Sequence, residues 1–355
     1  MGSLMSSRPG RVRGARLTDL AALGELSRLS HQSDDRESSV RSLGLPVSRS
    51  QVNVFRLFRL PLGAFRPSDQ LYVYEEDGRL AGLARVERDP QRDEWTIVEL
   101  DAVGIHEAGD IRLRLVQHLL RDGARRGAVR FHVACADSGG NVDLLMQAGF
   151  ITYGQEHILY QAPEVPLPRV AADDAARAGI RPAMPLDALA LSRLYARVTP
   201  APVARIESYR LPDWERPGQQ ARIPRSSLTP ILRFAEVETF VQEGTGRNGD
   251  ELAGMLQVGV AREEQPHYLR VMARPDLDAS PLVRYGLSII GERTGASRGK
   301  ASRNDAGVIT PVRTYEAPLD RCFEECGFTN VATVTLLMKE ALVRVAEPAL
   351  VPAIR

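Results

Sequence analysis

Apolar positions along this chain follow two rhythms, and the same succession of rhythms occurs twice. Ala15–Leu29 (ARLTDLAALGELSRL) has the spacing of an amphipathic helix, and Ile180–Leu194 (IRPAMPLDALALSRL) repeats it. Both end in Ser-Arg-Leu, at Ser27–Leu29 and Ser192–Leu194. A hairpin follows. Leu71–Glu87 places two β-rich runs around Asp77-Gly78, a tight-turn pair, and Thr239–Val260 has a longer Gly-rich turn. Each second strand carries Leu-Ala-Gly, at Leu80–Gly82 and Leu252–Gly254.

A third strand comes next, Glu94–Val103 and then His267–Ala273. A helix is predicted after it, with Ile111, Leu115 and Leu119 on one face in the first copy. Leu282, Val283, Gly286, Leu287 and Ile290 keep that rhythm in the second, where Ser280-Pro281 is a start signal. A β-run follows at Ala128–Ala134 and Gly307–Arg313. A short helix then stops at Gly149-Phe150 and Gly327-Phe328, glycine taking the left-handed residue and Phe re-entering the core. Terminal strands are read at Ile151–Gln161 and Val331–Lys339. The spacing between matched landmarks grows from 165 at Ser27/Ser192 through 172 at Gly82/Gly254 to 178 at Gly149/Gly327, the drift that small loop insertions produce. Pro163, Pro166 and Pro168 open a linker over Ala162–Ala178.

Composition agrees with two domains. A chain of 355 residues exceeds one ordinary core, and 43% hydrophobic with 26% charged residues describes a globular protein. A net charge of +1 gives no electrostatic case for nucleic acid or an acidic membrane surface. Cys135, Cys322 and Cys326 make neither a disulfide framework nor a zinc set, so no metal is expected. Residues 1–14, rich in Ser, Arg and Gly, read as a disordered start without the apolar run of a signal peptide. No stretch approaches the roughly 18 apolar residues of a membrane span, so a cytoplasmic protein is expected.

The element order, the Leu-Ala-Gly hairpins and the Gly-Phe helix stops resemble the GNAT (GCN5-related N-acetyltransferase) superfamily. The resemblance implies an α/β (α+β) fold with two tandem domains, residues 15–161 and 179–345, each a mixed, mostly antiparallel sheet flanked by helices. Residues 346–355 would be a tail. It implies acetyl-CoA, or another acyl-CoA, bound where the central strands splay apart, with its pyrophosphate on the N-terminus of the following helix. Glycines there let the backbone approach phosphate, and the free N–H groups hold the anion. In the first copy the matching positions are Ala102, Val103, Gly104, Gly109, Asp110, Ile111 and Arg112.

Neither copy has the family's paired-glycine loop. Asp110 stands where an N-cap belongs, with Glu107 close by, and Asp276 and Asp278 precede the second helix. A carboxylate there satisfies the donors a phosphate needs and repels it. Arg112, Arg114 and Arg284 read as solvated helix positions. The family's Tyr falls on Leu145 and Phe323, and its Asn on Ser138 and Glu316, with Asn141 and Tyr315 near. Glu99 is the best match to a general base, with a solvent-facing strand residue as its ordinary reading; His106 and His132 are weaker. The stretches Gln32–Gln70 and Val198–Leu232 would wall the acceptor groove, and their Phe55, Phe58, Phe65, Tyr209 and Trp214 suit core packing.

Two functions follow. One is acyl transfer to the amine of a small molecule or peptide, by a monomer or homodimer, with the first copy the better candidate. The other is a duplicated fold kept as a non-catalytic binding or regulatory module, which the acidic helix starts favour.

Overall fold

A computed structural model describes residues 10–341 except 20, 24–25, 27–68, 90, 104–107, 137–139, 216–222, 245–250, 263–264 and 297–306. The first copy contributes β1 (Arg11–Gly14), β2 (Asp69–Glu76), β3 (Arg79–Asp89), β4 (Glu94–Ala102), α1 (Ala108–Arg125), β5 (Arg130–Ala136), α2 (Asn141–Gln147) and β6 (Ile151–Gln161). After α3 (Ala172–Arg177), the second contributes β7 (Ile180–Pro182), α4 (Ala188–Val198), α5 (Ala201–Glu207), α6 (Leu211–Trp214), β8 (Phe234–Glu243), β9 (Leu252–Ala261), β10 (His267–Ala273), α7 (Ser280–Ala296), β11 (Val308–Arg313), α8 (Pro318–Glu324) and β12 (Thr329–Glu340).

Local chemistry sets the matched elements. Asp77 and Gly78 have φ of 46° and 77°, the left-handed pair that a two-residue hairpin turn requires. Ile111, Leu115 and Leu119 of α1 bury against Trp95, Leu100 and Phe131, and Leu282, Val283 and Leu287 of α7 against Leu256, Leu269 and Val271. Gly82 and Gly254 allow those helices to lie close. A Cβ at either would come within 2.6 Å of Ile111 or Leu282. The two short helices end alike. Phe150 N–H donates to Leu145 O and Gly149 N–H to Met146 O; Phe328 and Gly327 do the same to Phe323 and Glu324. That 6→1 and 5→2 pairing satisfies the last carbonyls, with the glycines at φ 89° and 84°.

The strands form one sheet in the order β1-β2-β3-β4-β5-β12-β6-β11-β10-β9-β8-β7. Only β4–β5 and β10–β11 are parallel. The last strands are exchanged. β5 pairs with β12 of the second copy, β11 pairs with β6 of the first, and β6 and β12 pair with each other. Each half therefore has a mixed, mostly antiparallel sheet with helices on it, and the exchanged strands join the sheets of residues 15–161 and 179–345 into one.

Three local expectations are corrected. Residues 11–14, expected to be disordered, form β1 against β2. Ile180–Pro182 is a strand rather than the start of a helix, because it pairs with β8 as the edge of the second half. The register of the two opening helices also changes, Ser27–Leu29 themselves lying outside the described residues. Arg13 grips Asp19 at 2.6 and 2.9 Å and Glu75 at 2.7 Å, and Arg181 grips Asp187 at 2.8 and 2.9 Å and Glu243 at 2.8 Å. Those paired clasps set Asp19 against Asp187, hence Leu23 against Leu191 and Leu26 against Leu194, all four buried. The linker is docked rather than free: α3 buries Ala175, and Leu167 and Val170 pack on the second core.

Candidate functional site

In both halves the parallel strands pair briefly and then diverge. β4 and β5 are paired only from Glu94↔Arg130 to Ile97↔Val133, and β10 and β11 only at His267↔Val308 and Tyr268↔Ile309. Beyond those points the facing backbone edges have no strand partner. The halves differ in detail. The β3–β4 ladder steps from Arg85↔Glu99 to Val86↔Ile97, so Val98 is an extra, bulged residue at the point of divergence. The β9–β10 ladder runs without a shift. A bulge re-aims the strand and frees one residue from the ladder.

A small cavity of about 30 Å³, open to one side, lies at the first half's divergence. Thr96, Ile97 and Val98 of β4 and His132, Val133 and Ala134 of β5 form one side. Tyr153 of β6 and Leu336 of β12 line it, and Arg225–Ser227, Pro230 and Ile231 of the second copy complete it. Of the stretch Val198–Leu232, these five residues border the divergence of the first copy. Phe55, Phe58 and Phe65 lie outside the described residues. Tyr209 packs edge-on against both Tyr195 and Trp214 in a core cluster.

Around the cavity the seam between the copies is ionic. Glu94 is buried and takes Arg225, Arg92 at 3.3 Å and Arg130 at 3.7 Å. Glu156, at 0% exposure, takes Arg313 at 3.0 Å and the Ser227 N–H at 2.8 Å. Glu207 takes Arg313 at 2.6 Å and the Tyr195 hydroxyl at 2.6 Å. Buried charges survive only when paired in this way. His132 lies among them, 2% exposed. Burial, with Arg225, Arg130, Arg92 and Arg313 nearby, holds its imidazole well below the usual range, so it is neutral. Burial pushes the Tyr153 hydroxyl up to about 12.

The second half's divergence is occupied by its own side chains. Arg270, on β10 past the last parallel pair, stands at the register position of Glu99. It donates twice to Glu316, just beyond β11, both at 2.8 Å, and to the Val271 carbonyl at 2.6 Å. The Arg313 N–H also donates to Glu316, at 3.0 Å. The bidentate pair bridges the diverging strands, and its guanidinium takes up a backbone acceptor there.

The sequence matches no family model and no curated protein. Its architecture is not isolated. Over 93% of this chain and 98% of the other, it is similar to a tandem GNAT protein from the clavulanic acid biosynthesis pathway, solved without AcCoA, at 13% identity and a TM-score of 0.50. Over 93% and 95% it is similar to a GCN5-related N-acetyltransferase from Sphaerobacter thermophilus, at 14% identity and a TM-score of 0.53. The fold is the GNAT fold, present twice.

Within that GNAT frame the residues singled out in the sequence fall as follows. Gly104 lies outside the described residues. Ala102 ends β4, and Val103 donates its N–H to Ala81 O at 2.9 Å. Gly109 is exposed in the first turn of α1, with open space around a Cβ. Asp110 is not an N-cap. α1 begins at Ala108, so Asp110 is an exposed first-turn carboxylate that complements the helix dipole. Ile111 is core. Arg112 is not solvated: it is 7% exposed and donates to Asn141 Oδ1 at 3.0 Å and Ala108 O at 3.2 Å, tying α1 to α2. In the second half, Asp278 accepts the Ser280 N–H at 3.0 Å, while Asp276 pairs with Arg274. Glu99 accepts from Arg85 at 3.1 Å and does not line the cavity.

Sequence reasoning missed Arg225, Arg270, Arg313, Glu94, Glu156 and Glu207. For Arg270 and Arg313 the signal was a lone charge in an apolar run, His267–Ala273 and Gly307–Arg313; the other four sit in polar or charged stretches that carry no such signal. Among the described residues no group of three or more His, Cys, Asp or Glu could hold a metal ion. No helix among them is long and apolar enough to cross a membrane.

Proposed function

We propose that the protein is an acyl-CoA-dependent N-acyltransferase with one working cleft, in the first copy, and that the second copy walls that cleft. The observation that carries this reading is the contrast at the two divergences. The first has a bulge and an open cavity with His132, Arg225 and Ser227 among its mainly apolar lining. In the second, the Arg270–Glu316 pair lies across the gap.

Acetyl-CoA suits what the first half offers. From Val98 to Ala102 the β5-facing backbone of β4 has no strand partner, and an extended amide chain could pair with it. The first turn of α1, an 18-residue helix, has the orientation of N–H groups that suits an anion, with the exposed Gly109 in it, and would seat a pyrophosphate. Bound there, the cofactor would supply an activated acyl thioester. The chain's own part is to hold the amine at the divergence, keep water out with Ile97, Val98 and Leu336, and accept hydrogen bonds from the amine. Glu99 remains a candidate base only if substrate binding draws it away from Arg85.

Calorimetric titration of acetyl-CoA tests this. A micromolar dissociation constant is expected, weakened at least tenfold by Gly109→Glu, which adds a charge in open space without touching the core. No heat at millimolar acetyl-CoA would overturn the reading in favour of a non-catalytic module.

A further inference from the structure

The cavity of the first half is lined by residues with polar atoms that have no partner. Both ring nitrogens of His132, Nε of Arg225 and the hydroxyl of Ser227 are buried and make no hydrogen bond among the described residues. Such atoms are costly to leave unmade, and a cluster of them around one space marks a place for a ligand. Arg225 already spends its other nitrogens on Glu94 and Thr96, which fixes the guanidinium in place. Ser227 is fixed by its N–H on Glu156.

The donors and acceptors define the ligand. Arg225 Nε–H and the Ser227 hydroxyl are two donors, suited to the two oxygens of a carboxylate. A neutral imidazole has one acceptor nitrogen, suited to an amine N–H. The groups facing that ring are Glu94 on β4, with an oxygen 3.6 Å from Nε2, Tyr153 on β6, Arg130 on its own strand, Arg225, Arg92 and Arg313. The arginines that oppose a proton on His132 also oppose an ammonium beside it and favour a carboxylate. The remaining lining is apolar, from Ile97, Val98, Val133, Pro230, Ile231 and Leu336, and the space is too small for a folded peptide.

We propose that this cavity binds a small free α-amino acid, its carboxylate on Arg225 and Ser227 and its uncharged amino group on His132. Resting on the acyltransferase reading, the amino acid is the acceptor. Its nitrogen forms a bond to the thioester carbonyl carbon, the C–S bond breaks with its electron pair going to sulfur, and the proton lost by nitrogen ends on the thiol. His132 comes from the first copy and Arg225 and Ser227 from the second, so the site is incomplete without both.

Calorimetry on the full chain with each proteinogenic amino acid tests the proposal, followed by the amine and the carboxylic acid that each lack one function of the tightest binder. At least one amino acid is expected to bind, with both single-function analogues at least tenfold weaker. Arg225→Lys keeps a cation for Glu94 but loses the Nε–H, and is expected to weaken binding about tenfold. Ser227→Ala keeps its N–H on Glu156 and carries the same expectation if the lysine variant does not fold. Binding of no amino acid, equal binding of the amine analogue, or unchanged affinity in Ser227→Ala overturns it. Acetyl-CoA titrated into the same preparations separates the two readings. Acetyl-CoA binding without amino acid binding removes the acceptor assignment alone, and the reverse removes the transferase reading and leaves the site.

Discussion

The two halves share strand order, helix packing and helix stops, and part company where the parallel strands diverge. In the first half that point carries a bulge, Glu99 on the strand, and an open cavity under a roof lent by the other copy. In the second, the register position of Glu99 holds Arg270, and Arg270 with Glu316 bridges the gap. A single change of charge along one strand thus separates a cleft from a strut. The comparison shows a duplicated fold whose scaffold is shared while the described residues at the two divergences differ.

The largest expected effect tests the strut. Arg270→Ala leaves Glu316 buried beside a lost partner and is expected to cost about 3–5 kcal/mol in urea unfolding. The corresponding Glu99→Ala removes a partly exposed carboxylate whose partner Arg85 keeps Asp69 at 3.3 Å, and is expected to cost about 1 kcal/mol or less. Equal costs would show that the two positions are not used differently.

Next comes a pH effect of the second half. His267 is buried, its Nδ1 accepts the Ala261 N–H at 3.0 Å, and burial pushes it down to about 4 from 6.5. The unfolded imidazole binds a proton near 6.5 and the folded one near 4, so the unfolded state holds more protons between them. Stability therefore falls as pH drops from about 6.5 to 4, by roughly 3 kcal/mol at most. His267→Gln should flatten that part of the profile, and an unchanged slope would contradict it.

The smallest effect should be the same in both halves. Gly82→Ala and Gly254→Ala each drive a Cβ into the helix above and should each cost about 1–3 kcal/mol. A large difference between them would break the claim that the scaffold is shared.

Much of this scaffold was legible in the sequence. Asp77-Gly78, the Leu-Ala-Gly strands and the Gly-Phe stops depend on local backbone chemistry, which sequence carries directly. The exchange of β6 and β12 was not legible, because both strands suit either partner and the choice lies in long-range pairing. The first-helix match failed for a related reason. Ser-Arg-Leu is a short local match, whereas the clasps of Arg13 on Asp19 and Arg181 on Asp187 set the register through contacts with distant strands. The site was least legible. Glu99 could be named from its strand position, but its grip on Arg85 could not, and the cavity's second wall comes from residues some 90 positions along the chain from His132. Arg112 was misread because a helix pattern shows that a position lies near the boundary of the buried face, not that Asn141 waits there.

The most direct measurement of the central claim is the number of acetyl-CoA molecules bound per chain, read by native mass spectrometry. One is expected for the native chain, and none for Gly109→Glu. Two bound molecules, or one that survives Gly109→Glu, would contradict the account, because the cofactor would then sit in the half that Arg270 and Glu316 close.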